Sequence, residues 1–331
     1  MRSLVFVLLL GISSVKAESV TPPEYRRNVE QTFLTFPEWF LVHSPAEYAA
    51  YVKDHTPSDF PFIAHVRQFW SSYGRVNEAI RQYPFNFGYH VMIVVIGVST
   101  TVEYGIRSAY ETLIGRVSEL GMRHGLTPED RFGAQVAQEY VDFIRVLPWY
   151  EFDFAGRLAK LWRDTPMWGP DPLRKWERRY ALTTEYAIKA VYGYLIKVGT
   201  KASYGDELLV TAVVVDKLPN GIEKNLPEIK HLRETANGND LILVPRYDAF
   251  MRYASGLAKR GARFKEIAGN DSIILVSVLS RNDFEQPLFE QPILTQPGWK
   301  RIALVVPVGE LAAFLNGLDA RGALLEHVYD Y

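Results

Sequence analysis

Glu38 has the most unusual surroundings of any carboxylate in the chain. It lies between Pro37 and Trp39 in the apolar aromatic run Phe33 to His43 (FLTFPEWFLVH). Apolar neighbours disfavour the ionised form and raise a carboxyl pKa toward the range that suits a general acid or base. His43 is the nearest titratable base, so Glu38 and His43 are the candidate catalytic residues. A structural reading competes: a carboxylate just after proline is at home in the first turn of a helix, where the dipole favours negative charge.

Glu103 and Glu185 are candidate paired carboxylates. Thr101-Val102-Glu103-Tyr104 matches Thr183-Thr184-Glu185-Tyr186, and the match continues through Ile106/Ile188, Arg107/Lys189, Tyr110/Tyr192 and Leu113-Ile114/Leu195-Ile196. If these helices pack as a pair, the carboxylates can share a proton or hold a cation. In both copies the glutamate stands four residues before a base. That orientation favours an intrahelical ion pair worth about 0.2–0.5 kcal/mol, which makes Arg107 and Lys189 the expected structural partners.

Other chemistry is thin. Glu228-x-x-His231 has metal-ligand spacing, but Pro227 and a nearby Asn-Gly place it in a turn-rich segment with no second copy. The phosphate-binding, dinucleotide, zincin and nucleophile-elbow motifs are missing. With no cysteine, thiolate catalysis, disulfides and cysteine-based metal sites are excluded. No cofactor and no metal are implied. A net charge of −1, without a basic half, gives no electrostatic footprint for nucleic acid.

Apolar and aromatic segments raise the question of lipid. Val91 to Val102 (VMIVVIGVSTTV) carries no charge, and Trp149, Trp162, Trp168 and Trp176 crowd one stretch. That stretch ends in Arg174-Lys175-Trp176-Glu177-Arg178-Arg179-Tyr180. The four tryptophans with Arg178 and Arg179 are candidates for contact with a ligand or a headgroup layer. The uncharged run is too short to span a bilayer and is bracketed by His90 and Glu103, so a buried core helix is the first reading. Membrane insertion or peripheral attachment is the second.

The elements that must position these residues fall in two halves. Helical patterning runs from about Tyr25 to Gly199. Turns are expected at Phe36-Pro37, Ser44-Pro45, His55-Thr56-Pro57, Tyr83-Pro84, Gly125 to Pro128, Leu147-Pro148 and Pro166 to Pro172. Helix starts are expected at Ser44, with Glu47 completing a capping box, and at Thr127. From Gly205 the pattern becomes that of strands, beginning with Leu208 to Val215 (LLVTAVVV).

In this second half Leu243-Val244-Pro245 matches Val305-Val306-Pro307, Gly256-Leu257 matches Gly317-Leu318, and Arg260-Gly261-Ala262 matches Arg321-Gly322-Ala323. Each copy reads as strand, helix, glycine stop and strand, and two such units can make one split β-α-β sheet with both helices on one face. Ser272 to Leu279 reads as an extra strand. The segment 281–300, with FEQP at Phe284 and again at Phe289, reads as a long arm covering a sheet edge, with a binding loop as the alternative.

The fold class is therefore α+β: a helical N-terminal half followed by a duplicated β-α-β (ferredoxin-like, elaborated) C-terminal domain. Residues 18–204 form the helical aromatic-rich domain and 205–331 the α/β domain.

Ahead of both, Arg2, the apolar run Leu4 to Ile12 and Val15-Lys16-Ala17 have the pattern of a cleavable signal peptide over residues 1–17. Export follows, to the periplasm or a membrane if the source is bacterial and into the secretory pathway otherwise. The expected function is that of a non-enzymatic envelope protein that binds a membrane surface, an apolar ligand or a protein partner. An exported enzyme using Glu/His acid–base chemistry on a hydrophobic substrate is the alternative. Mass spectrometry of the native protein should place its amino terminus at Glu18. A chain that keeps Met1 and fractionates with cytosolic markers would overturn the export reading.

Overall fold

The computed structural model describes residues 19–203 and 209–330. The expected signal peptide lies outside the described residues, as does part of the expected domain boundary.

The first half is built from helices α1 (Val29–Tyr51), α2 (Phe62–Ala79), α3 (Phe87–Tyr110), α4 (Arg116–Glu119), α5 (Pro128–Ile144), α6 (Phe154–Asp164) and α7 (Pro172–Ser203). A wide π-helical segment, Glu111–Gly115, joins α3 to α4. Thr127 starts α5 as its sequence promises: its hydroxyl accepts from the Asp130 N–H, and the Asp130 carboxylate accepts from the Thr127 N–H.

The turns expected at Phe36-Pro37 and Ser44-Pro45 do not form. α1 runs through both prolines. Each proline removes one ladder donor, but Phe33, Phe36, Trp39 and Phe40 are packed in a single buried cluster, and this tertiary packing holds the helix together. Two expectations change as a result. Ser44 is no cap but sits in mid-helix, and Glu38 is likewise in mid-helix and not in a first turn.

α3 also departs from the first reading of its sequence. Ile93, Gly97, Thr100 and Tyr104 are buried, while Val91, Val94, Val95, Val98, Val102 and Ile106 are exposed. The run Val91 to Val102 is thus half of a two-faced helix whose outer face is apolar, and not a core helix. Gly97 permits the inner packing, since a Cβ there would come within 2.3 Å of the Phe69 ring.

Among the described residues the second half contains eight strands: β1 (Val210–Val215), β2 (Lys230–Glu234), β3 (Asp240–Pro245), β4 (Phe264–Ile267), β5 (Ile273–Ser280), β6 (Phe289–Pro292), β7 (Lys300–Pro307) and β8 (Ala323–Val328). Helix α8 (Asp248–Lys259) links β3 to β4, and α9 (Leu311–Asn316) lies between β7 and β8. The strands form two antiparallel four-stranded sheets, ordered β2-β3-β1-β4 and β6-β7-β5-β8. The expected single sheet is not formed. β1 and β5, which lie outside the two matched β-α-β units, are interior strands, each pairing antiparallel with both strands of a unit, so each unit completes a sheet of its own. The second FEQP is edge strand β6, which ends at Pro292 where no further partner is needed.

One apolar core takes residues from both sheets and both helices, including Val213, Ile242, Phe250, Leu257, Val276, Leu304, Leu311 and Leu315. Alternation along β5 sends Ile274, Val276 and Val278 into that core and Leu275 to the other face, against Phe36 and Phe40 of α1. The helical half is thereby fastened to the second sheet. Residues Val20 and Tyr25 cover the other face of the first sheet, over Ala212, Val214, Leu241 and Leu243.

Gly261 and Gly322, the matched helix stops, have φ of 86° and 64°. Gly261→Ala should cost about 1 kcal/mol in urea unfolding, because alanine resists left-handed backbone. Gly74→Ala, in open space inside α2, should change stability in the opposite direction.

Candidate functional site

Glu103 and Arg107 lie one turn apart on α3, and Glu185 and Lys189 one turn apart on α7. Each helix thus offers one acid and one base to the other. Lys189 Nζ is 3.1 Å from Glu103 Oε1 and 3.1 Å from Glu185 Oε1. Arg107 Nη2 is 2.5 Å from Glu185 Oε2, with its Nε 3.8 Å from Glu103 Oε1. Exchanging the two helices turns the Glu103–Lys189 contact into the Glu185–Arg107 contact, which is how surfaces related by a local two-fold behave.

The surroundings repeat in the same way. Tyr48 of α1 packs on Phe60 and Phe62 with ring centroids 5.1 and 5.9 Å away, and Tyr140 of α5 packs on Phe152 and Phe154 at 5.3 and 5.6 Å. Arg107 lies over Tyr48 and Phe62 at 5.0 and 5.8 Å, and Lys189 over Tyr140 and Phe154 at 5.4 and 5.6 Å. The Trp70 indole donates to Thr101 and the Trp162 indole to Thr183, each at 3.0 Å. The α1–α2–α3 and α5–α6–α7 units therefore make equivalent contacts about one axis.

A cavity of about 90 Å³ lies on that axis. Its walls come in matched pairs: Tyr48/Tyr140, Glu103/Glu185, Tyr104/Tyr186 and Arg107/Lys189. Burial alone would push the Glu185 carboxyl up, but Arg107 and Lys189 outweigh it and hold the pKa near 2. Burial works against the charge on Lys189 in turn, and Glu103 and Glu185 outweigh it, raising its pKa. The two carboxylates singled out in the sequence do meet at one cation. They meet as half of a neutral quartet, which does not favour a shared proton.

Glu38 and His43 are not brought together as a pair. Glu38 accepts a hydrogen bond from the Tyr89 hydroxyl at 2.8 Å. His43 is buried, with Nε2 3.8 Å from Glu326 Oε2. Burial lowers its pKa to about 4, against the opposing pull of Glu326. It belongs to a polar chain that the sequence did not reveal. Arg301 donates to Glu326 at 2.7 and 2.8 Å and to Glu47 at 3.1 Å. Glu47 lies 3.7 Å from His65, whose other ring nitrogen is 3.0 Å from Ser44 Oγ, and Ser44 is 2.7 Å from the Tyr104 hydroxyl in the cavity wall.

The basic segment differs from its expected role. Arg174, Lys175, Arg178 and Arg179 are 0–3% exposed and paired with Asp130, Glu129, Glu111 and Glu177, so Arg178 and Arg179 do not form a headgroup-facing surface. Buried cations require such partners, and the acids that supply them come from α5, α7 itself and the π segment. Trp162, Trp168 and Trp176 cluster beside Arg179, which lies 5.1 Å over Trp162 and 5.2 Å over Trp176. Trp149 is separate and stacks on Tyr192.

Among the described residues no group of three or more histidines or carboxylates is arranged to hold a metal ion. Glu228 accepts from the Tyr253 hydroxyl, and His231 contacts Asp240 at 2.8 Å. Comparison with family models, curated proteins and solved structures finds no match for this chain.

Phe60-Pro61-Phe62 against Phe152-Asp153-Phe154, each followed by a tryptophan at the same spacing, is the signal that extends the α3/α7 similarity to the whole cavity. For the Arg301–Glu47 chain no local pattern exists, because its members come from distant elements.

His43 and His65 are 7% and 1% exposed, and burial lowers their pKa values to about 4 and about 3. Below pH 6.5 the unfolded chain binds protons that the folded chain refuses, so stability falls as the pH drops from 6.5 to about 4, on the order of 3 kcal/mol per histidine at full effect. Urea unfolding between pH 7 and 4.5 should show this fall, with a shallower slope in His43→Gln.

Proposed function

We propose that this is an exported, non-enzymatic protein that attaches to a membrane surface through the outer faces of α3 and α7. One observation carries the reading. From Phe87 to Ile114 the exposed side chains include Phe87, Val91, Val95, Val98, Val102, Ile106, Leu113 and Ile114, while of the three charged residues in the stretch Glu111 is buried, Arg107 is 20% exposed and Glu103, 42% exposed, is paired with Lys189. Outward-facing Tyr180, Ile188, Val191, Tyr194, Leu195 and Val198 make a similar face on α7. Apolar surface of this extent on a soluble chain marks a place of contact.

The helix Phe87–Glu119 is long and apolar enough to cross a bilayer by length and composition, and its most apolar window has mean hydropathy 1.3 with only 28% buried. A core helix of a soluble protein would be mostly covered. Because its inner face carries Glu103 and Arg107, surface attachment with the charges turned inward suits it better than a span. Exposed Trp168 and half-exposed Trp162 are suited to the interfacial layer. The C-terminal half is read as a duplicated split β-α-β unit of ferredoxin-like character that presents a surface to a protein partner. Its support is the shared strand order and the matched stops at Gly261 and Gly322.

The acid–base alternative draws less support, since Glu38 is engaged by Tyr89 and His43 faces Glu326.

Flotation with lipid vesicles tests the proposal. The wild-type protein should rise with vesicles and resist release by carbonate. Val95→Asp and Ile188→Asp should each weaken binding about tenfold or more, because each loses burial of one aliphatic side chain and adds a charge. Complete recovery in the soluble fraction, with no vesicle binding, would overturn it.

A further inference from the structure

Two charge clusters among the described residues of the helical half differ in their exposure. Around Arg174, Arg178 and Arg179 the basic side chains are 0–4% exposed and sealed by their acids. In the quartet on the local axis, Arg107 and Lys189 are each 20% exposed, Glu185 23% and Glu103 42%. A cluster serving only to staple two helices has no need of an opening, yet this one borders the cavity. Each of its cations is covered on one side by a matched aromatic pair, Tyr48 with Phe62 and Tyr140 with Phe154.

We infer that the axial cavity is a binding site for a small zwitterion, a ligand whose cationic and anionic groups are a few bonds apart. The reason is charge balance. Two carboxylates and two cations line the cavity, so its walls sum to zero. A ligand with one net charge would add an uncompensated charge to a half-desolvated space, which is costly. A zwitterion places its anion toward Arg107 or Lys189 and its cation toward Glu103 or Glu185 and keeps the sum at zero. The matched walls allow it to enter in either of two related orientations. Such a ligand can be a free solute or the headgroup of a zwitterionic lipid, and the recognition chemistry is the same.

Calorimetric titration of the full-length protein with glycine betaine, glycerophosphoethanolamine, acetate and tetramethylammonium tests this, alongside vesicles of phosphatidylethanolamine. The two free zwitterions should bind, with acetate and tetramethylammonium weaker by about tenfold or more. Lys189→Met leaves one surplus carboxylate and should reverse the preference toward tetramethylammonium, while Lys189→Arg should retain the original order. If only the vesicles bind, and Lys189→Met lowers that binding, the source is the lipid headgroup.

Equal binding of acetate and betaine would overturn the inference, as would failure of both free zwitterions to bind together with vesicle binding that is either absent or indifferent to Lys189→Met. The comparison on the wild-type protein needs no variant to fold. Val95→Asp and Ile188→Asp should keep free-zwitterion binding, so failure of membrane attachment and failure of this site are separable.

Discussion

A charge removed from water must be met by an opposite charge, and in the helical half this requirement sets the arrangement of the helices. Glu103, Arg107, Glu185 and Lys189 are neutralised only if α3 and α7 pass in opposite directions with Glu103 level with Lys189 and Arg107 level with Glu185. Sliding one helix by a turn would leave a desolvated carboxylate opposite a carboxylate. The same logic operates at the next level along α7, where Arg174, Lys175, Arg178 and Arg179 are folded inward against Glu129, Asp130, Glu111 and Glu177. Truncating one partner of such a buried pair costs about 3–5 kcal/mol, far more than a surface pair is worth. Inward charges leave the outward positions of α3 and α7 free to be apolar.

The two halves of the chain are distinct in class but not separate in space. α1 packs its aromatic face on β5, and the Arg301 guanidinium of β7 reaches across to Glu47 of α1. Thr32 of α1 donates to the Tyr329 carbonyl and accepts from the Leu275 N–H, so the first long helix is tied to two segments near the end of the chain. The His43, His65 and Arg301 chain thus sits where the helical half meets the second sheet.

Much of this architecture was legible in the residues. Periodicity separated helices from strands, Thr127 announced α5, and the paired Gly261 and Gly322 marked two equivalent stops. Matching Glu103-Tyr104 with Glu185-Tyr186, together with their bases, gave the members of the quartet. What stayed hidden depended on partners remote in sequence. Proline at 37 and 45 argued for turns, because a lost hydrogen bond is local while the packing of Phe36 and Phe40 on a distant sheet is not. Arg178 and Arg179 resembled a surface patch, because their acids come from positions that no local pattern connects to them. Insertion of β1 and β5 between the strands of the β-α-β units was invisible for the same reason: pairing order is a property of the sheet and not of any one strand.

The π segment Glu111–Gly115 records how such an arrangement tolerates change in its sequence. Between Arg107 and Arg116 the chain has one residue more than between Lys189 and Lys197. In an ordinary helix an added residue would rotate everything beyond it by about 100°. The wide turn absorbs it, so Arg116 still reaches Asp59 as Lys197 reaches Glu151. A length difference between two related units has been confined to a single loosened turn, and the ion pairs on both sides of it stay in step.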